Sequence, residues 1–402
     1  MFNRELLIAY QLLFMCSQGL AADSADTTAN QAVMMAKSES IKIEQLADIY
    51  ELMKHANFDK AEKALEQLYQ KDRQVLPLWV ALLTELERFD RLRELVDEGI
   101  LDPGDDSAVL ALAYKNRSAP TLEFVAPQGQ IPLESHFLVT LPRAEVQING
   151  KTFYFVLDTG ASTNVITQRV ADTLSIVADK RHQVSIDTAT DNEVFAQVAI
   201  LPSFRLGPAE LRNQAAVIVD NESLEQRILG FNWYQLDGII GWPVLKKMDL
   251  SFNFAEMTLA IQQPMKKTWK IPNLVWLFDD PMVLTHSREK GSLLWFLDTG
   301  AMHSQVTERY LVRHAIDNLE WKSKQFSGLG GKGKEEKTAN LESIKFDFPS
   351  AKVNVEDIEV RVDHEDCKYS LCDGRIGVDI GNNRIMNIDF YNGLFDVWEI
   401  KQ

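Results

Sequence analysis

Two aspartates in this chain occupy nearly identical surroundings, and a pair of carboxylates can do chemistry that one alone cannot. Phe153-Tyr154-Phe155-Val156-Leu157 runs into Asp158-Thr159-Gly160-Ala161, and Leu293-Leu294-Trp295-Phe296-Leu297 runs into Asp298-Thr299-Gly300-Ala301. Each apolar run reads as a strand that stops on a tight Asp-Thr-Gly turn. A single turn of this kind is ordinary, because Asp and Gly are common turn formers. Two of them, 140 residues apart in one chain, point to a unit built twice that brings its aspartates together. Two carboxylates a few ångströms apart cannot both ionise, so one keeps a proton while the other acts as a base. Such a pair can activate water without a metal and without a covalent intermediate.

The elements that must hold these turns are repeated as well. Upstream of the first lie Phe137-Leu-Val-Thr and Val146-Gln-Ile-Asn-Gly150; upstream of the second lie Met282-Val-Leu-Thr and Glu289-Lys-Gly291. Downstream, Asn164-Val-Ile-Thr167 and Ser304-Gln-Val-Thr307 each lead into a short helical stretch. Further on, Asp237-Gly-Ile-Ile-Gly241 is matched by Asp373-Gly-Arg-Ile-Gly377.

With these residues in view, residues 132–402 resemble an aspartic peptidase of the retropepsin and pepsin type. The resemblance implies an all-β, bilobal fold of two homologous barrel-like lobes, divided here into 132–265 and 266–402, with a cleft between them and a mobile hairpin flap. Carried over residue by residue, it implies Asp158 and Asp298 as the catalytic pair, Thr159 and Thr299 as hydroxyl cross-braces, Gly160 and Gly300 as turn residues, and Gly241 and Gly377 in apolar segments beneath the loops. The activity implied is hydrolysis of peptide bonds by a single chain, active as a monomer, with a polypeptide as substrate and no cofactor or metal. A non-catalytic peptide-binding or scaffolding protein on the same fold is the other class open to such a chain.

Ala161 and Ala301 follow the two glycines, where pepsin-like enzymes usually carry Ser or Thr. A hydrogen bond to the charged form lowers a carboxyl pKa, so its absence leaves the pair titrating higher. Activity is therefore expected in mildly acidic solution, at about pH 4–6.5 from ordinary carboxyl values raised by coupling.

Phe326-Ser-Gly328-Leu-Gly330-Gly331-Lys-Gly333-Lys334 resembles the glycine-rich flap tip of retroviral peptidases, with Gly328, Gly330 and Gly331 at the turn. The same residues satisfy G-x-G-x-x-G spacing and nearly satisfy a phosphate-binding loop, readings that need a following helix. Leu341-Glu-Ser-Ile-Lys-Phe instead alternates like a strand. In the first half the corresponding hairpin is Val184–Val198, turning near Asp191-Asn192.

The remaining chain bears on location and partners. Residues 1–22 carry Arg4, a short apolar run from Leu6 to Cys16 and Gly19-Leu-Ala21-Ala22, the order of a secretory signal peptide and too short for a stable anchor. A periplasmic or secreted protein is expected. Loss of Cys16 would leave Cys367 and Cys372, a pair able to close a small disulfide loop in an oxidising compartment. A metal site there would recruit His364 and Glu365 but finds no further ligand at suitable spacing. Residues 23–40 read as a polar linker. Residues 41–115 carry helical periodicity, with Asn57-Phe-Asp-Lys-Ala-Glu-Lys-Ala-Leu65 echoed 31 residues later by Arg88-Phe-Asp-Arg-Leu-Arg-Glu-Leu-Val96. They resemble tetratricopeptide-type hairpins, and they would either dock a protein partner or cap the peptidase. Residues 116–131 are the connector. The 402 residues allow two or three domains, with 46% hydrophobic content to fill their cores. A net charge of −16 argues against nucleic acid as a partner.

Overall fold

The computed structural model describes residues 48–49, 52, 58–136, 139–178, 183–186, 194–228, 231–267, 272–277, 280–287, 291–328, 331–362 and 372–400. The candidate leader at 1–22 and the segment 23–40 lie outside them. The chain divides into two compact units, Met1–Leu92 and Arg93–Gln402.

Among the described residues the first unit is helical. Phe58–Tyr69 turns Ala61, Leu65 and Leu68 inward, one apolar stripe at three-to-four spacing. Leu76–Glu85 follows, with proline in its first turn, where the missing N–H has no intrahelical partner to lose. Arg88 reaches back to Asp59 at 2.7 Å and to Glu62 at 3.4 Å, so the echoed Phe-Asp motif and its predecessor are tied together by charge.

The second unit is mostly β. Strands Val139–Ile148, Lys151–Leu157, Gly238–Ile240, Asn164–Thr167, Ala209–Val219 and Val194–Leu206 are hydrogen-bonded in that order, and the last returns to the first through Gln147 opposite Arg205 and Ile148 opposite Phe204. The result is a closed six-stranded barrel, which leaves these strands no free edge. Strand alternation explains its filling. Phe153, Phe155 and Leu157 point into the barrel core with Ile166, Phe204 and Ile240, whereas Val156 faces the other way. On that opposite face Val156, Val165, Val217 and Ile239 form a second apolar cluster, joined by Val109 of helix Asp106–Ala113. That helix belongs to the second unit, and the Tyr114 hydroxyl after it donates to the Asn213 carbonyl at 2.7 Å.

A separate eight-stranded sheet runs Leu274–Leu277, Asp280–Ser287, Gly291–Leu297, Gly374–Ile376, Gln305–Val306, Lys352–Arg361, Gly331–Asp347, Lys322–Gly328. It repeats the pairing of the barrel. Gly238–Ile240 lies parallel to Lys151–Leu157 and antiparallel to Asn164–Thr167; Gly374–Ile376 lies parallel to Gly291–Leu297 and antiparallel to Gln305–Val306. Both helices that follow, Gln168–Leu174 and Glu308–His314, begin after a threonine and end on a left-handed non-glycine residue, Ser175 and Ala315. Strand Asp249–Asn253 pairs with Arg384–Asp389, and buried side chains of both sheets, among them Leu157, Ile240, Leu297 and Ile376, share one apolar cluster.

Candidate active site

Each Asp-Thr-Gly turn is hung from the short strand beneath it. The Asp158 amide donates to the Ile240 carbonyl at 3.0 Å and the Asp298 amide to that of Ile376 at 3.0 Å. The far end of each loop is caught as well. Trp242 N–H donates to Ala161 O at 2.8 Å, and Val378 N–H to Ala301 O at 2.9 Å. Gly241 and Gly377 sit at these crossings, where a Cβ would come within 2.6 Å of Ala161 O and 2.8 Å of Ala301 O. Their amides donate to Asn164 Oδ1 and Ser304 Oγ, each at 3.0 Å.

The two turns are bonded to one another. Thr159 N–H donates to Thr299 Oγ1 at 2.9 Å, and Thr299 N–H donates to Thr159 Oγ1 at 3.0 Å. Each hydroxyl passes its own proton onward, Thr159 to Leu297 O and Thr299 to Leu157 O, both at 2.7 Å. Both threonines are 1% exposed, so water cannot replace a lost partner. A net hydrogen bond contributes about 1 kcal/mol, but an orphaned buried group costs about 1–3 kcal/mol. Loss of one hydroxyl would orphan a carbonyl and an amide at once.

This brace sets the carboxylates. Gly160 N–H donates to Asp158 Oδ1 and Gly300 N–H to Asp298 Oδ1, each at 2.8 Å. Both glycines also lie against the opposite aspartate. A Cβ on Gly160 would stand 2.7 Å from Asp298 Oδ1, and one on Gly300 would overlap the Asp158 carboxyl group. Any larger residue would push the pair apart. Burial, followed by repulsion from Asp298, pushes the Asp158 carboxyl up to about 8. The amides of Gly160 and Ala161 pull the other way and are outweighed. Burial is thus the larger cause of the rise at Asp158.

Further side chains outside the two turns support the site. Asp237 Oδ2 accepts from Tyr154 N–H, and Asp373 Oδ2 from Leu294 N–H, each at 2.8 Å. Arg169 and Arg313 close the two anchors at 2.6 and 2.8 Å. The repetition of Asp237 and Asp373 was visible in the paired Asp-Gly segments; their arginine partners, Arg169 at the start of one following helix and Arg313 near the end of the other, were not. Ser304 is held in turn by Asp379, at 2.7 Å. Arg375 has no counterpart in the first half: its Nη1 lies 3.3 Å from Asp298 Oδ2 and its Nη2 donates to Gln305 Oε1.

Gly328 pairs with Gly331 where strand Lys322–Gly328 turns into Gly331–Asp347; Gly330 lies outside the described residues. The segment is a hairpin with a strand on either side, which removes the helix a phosphate-binding loop needs. In the first half Gln183–Ile186 pairs with Val194–Leu206, and the expected turn at Asp191-Asn192 lies outside the described residues. Cys372 is buried; Cys367 lies outside the described residues. Among the described residues, no group of three or more His, Cys, Asp or Glu could hold a metal ion, and no helix is long and apolar enough to cross a membrane.

A family model described as aspartyl protease matches residues 144–233. The matched segment contains Asp158, Thr159 and Gly160 and most of the barrel. It supports an aspartyl protease with a polypeptide substrate. No curated protein matches the chain.

Proposed function

We propose that this protein is a single-chain aspartic endopeptidase of two homologous lobes in which Asp158 and Asp298 form one catalytic pair. The observation that carries the reading is the reciprocal bonding of Thr159 and Thr299, because it sets Gly160 against Asp298 and Gly300 against Asp158. The family match over the first half of the repeat supports the same reading. In this mechanism the charged aspartate takes a proton from a bound water while the protonated one donates to the scissile carbonyl oxygen. The water attacks the carbonyl carbon to give a gem-diol; as its C–N bond breaks, the proton gained by the base passes to the leaving amine and one diol hydroxyl returns a proton to the other aspartate. The amides of Gly160 and Gly300 keep each carboxyl plane fixed during the exchange.

The remaining parts follow from the same reading. Residues 1–22 direct export to the periplasm or beyond, and Cys367 and Cys372 close a disulfide loop there. The hairpin tipped by Gly328, Gly330 and Gly331 acts as a flap over bound substrate. The tetratricopeptide-like helices before the peptidase serve either to dock a protein partner or as a helical cap.

The test is incubation of the mature chain with an unfolded polypeptide across pH, with a hydroxyl-containing transition-state analogue as inhibitor. Cleavage blocked by the analogue supports the proposal. Binding of peptide without cleavage at any pH would assign the fold to peptide capture instead.

A further inference from the structure

Strand register sets four positions of the first half against four of the second. In the first, Ile239 stands beside Val156 and Val165, and Val165 beside Val217. In the second, Arg375 stands beside Phe296 and Gln305, and Gln305 beside Glu359. The apolar set of one half is replaced by a hydrogen-bonded series in the other. Asp298 Oδ2 faces Arg375, Arg375 donates to Gln305, Gln305 Nε2 donates to Glu359 Oε2 at 3.1 Å, and Lys324 Nζ donates to Glu359 Oε1 at 2.6 Å.

Burial gives this series its force. Arg375 is 8% exposed and Asp298 9%. A guanidinium taken out of water is retained only where anions or acceptors face it, and the anion here is the carboxylate that Gly300 orients through its other oxygen. Asp158, in the matching turn, has the aliphatic Ile239 at the matching register position. An opposite charge within hydrogen-bond range favours the ionised form of a carboxyl group, and desolvation without one favours the neutral form.

Resting on the peptidase reading above, we infer that Arg375 is a positioning residue that assigns the roles of the pair, fixing the negative charge on Asp298 and leaving the shared proton on Asp158. Asp298 is then the base toward water, and Asp158 the acid toward the scissile carbonyl. Gln305 orients the guanidinium. Among the described residues, the charged groups seen against this series are Asp158 from the opposite loop, Glu359 from strand Lys352–Arg361 and Lys324 from strand Lys322–Gly328. Lys324 and Glu359 offset one another, and Arg375 is the cation in contact with Asp298. The elevated proton affinity of Asp158, which burial and Asp298 both raise, is consistent with this division.

Titration of each carboxyl group in the absence of its partner tests the inference without any substrate. Full-length mature protein labelled with carboxyl-13C aspartate is followed by NMR as Asp158→Asn, where Asp298 titrates alone, and as Asp298→Asn, where Asp158 titrates alone. Asp298 is expected to titrate at least one unit below Asp158. Adding Arg375→Ile to the Asp158→Asn protein should raise Asp298 by about 1–3 units, and Arg375→Lys should recover at least half of that shift. Equal or reversed values in the two single variants overturn the inference, and those variants need no change at Arg375. An Asp298 value unmoved in a folded Arg375→Ile protein also overturns it and leaves Arg375 a packing residue. In the otherwise unaltered enzyme, the acid limb of the kcat/KM profile should move up in Arg375→Ile. A protein that shows the expected ordering but no peptidase activity defeats the proposed function and not the charge assignment.

Discussion

The two halves of the β unit share a backbone and differ in what they place beside their aspartates. Every main-chain support of Asp158 has a twin at Asp298, from the amide bond to Ile240 or Ile376 to the catch at Ala161 or Ala301. The side chains that pack beside those supports do not. Val156, Val165, Val217 and Ile239 form an apolar surface in the first half, where the second has Phe296, Gln305, Glu359 and Arg375. Positioning thus depends on the part that is duplicated, and the inferred difference in proton affinity between the two aspartates on the part that has diverged. A scaffold closed by backbone bonds tolerates such divergence because the bonds do not depend on side-chain type.

The shared part is broken most completely at the aspartates. Asp158→Asn and Asp298→Asn, each alone, should reduce turnover by roughly a thousandfold or more, since members of a catalytic unit do not contribute independently. Melting temperatures near that of the parent would show the fold intact. Large residual hydrolysis in either variant would mean that the halves are not equivalent in catalysis.

Next in size is the brace. Thr159→Val and Thr299→Val each orphan one buried carbonyl and one buried amide, so each should cost about 2–5 kcal/mol in chemical denaturation. The two values should agree closely, and Thr→Ser should restore most of the loss. A large disparity would show that the support is less symmetric than its distances.

A pH dependence of stability sharpens the difference between the halves. The folded-state pKa of Asp158 is raised to about 8, above the ordinary unfolded carboxyl value near 4. Its favourable contribution is therefore complete below about pH 4 and is lost as pH rises through the folded value of about 8. Asp158→Asn should flatten the decline in melting temperature across that interval. An identical decline in parent and variant would place the raised affinity elsewhere.

The smallest effect is expected at the alanines. Ala161→Ser combined with Ala301→Ser adds a hydroxyl able to donate to each carboxylate, and should lower the alkaline limb of the rate profile by about half a unit. An unmoved limb would mean that burial alone governs the pair.

Much of this arrangement was legible in the chain because it is local. Leu157-Asp158-Thr159-Gly160 and its twin declare a strand and a turn within a few residues, and Thr167 and Thr307 announce the helices that follow. The hairpin around Gly328 and Gly331 was equally readable from glycine spacing and alternation. The ring closure between Ile148 and Phe204 was not, since strand partnership across such a separation leaves no periodic trace. The same holds for Arg375. Its departure from Ile239 was visible in the paired Asp-Gly segments, but its contact with Asp298 depends on the register of Gly374–Ile376 against two other strands. Helix Asp106–Ala113 follows the periodicity of the preceding helices, yet its Val109 packs with the barrel's outer cluster, a destination that amphipathic spacing alone does not specify.

The central claim is that one chain supplies both members of one catalytic pair. Mixing purified Asp158→Asn with Asp298→Asn protein, over a dilution series and with unfolded polypeptide as substrate, tests it directly. A site completed within each chain predicts that the mixture stays as inactive as its components while the parent's specific activity is independent of concentration. Activity regained on mixing would contradict the claim, because it would mean that the pair is assembled from two chains.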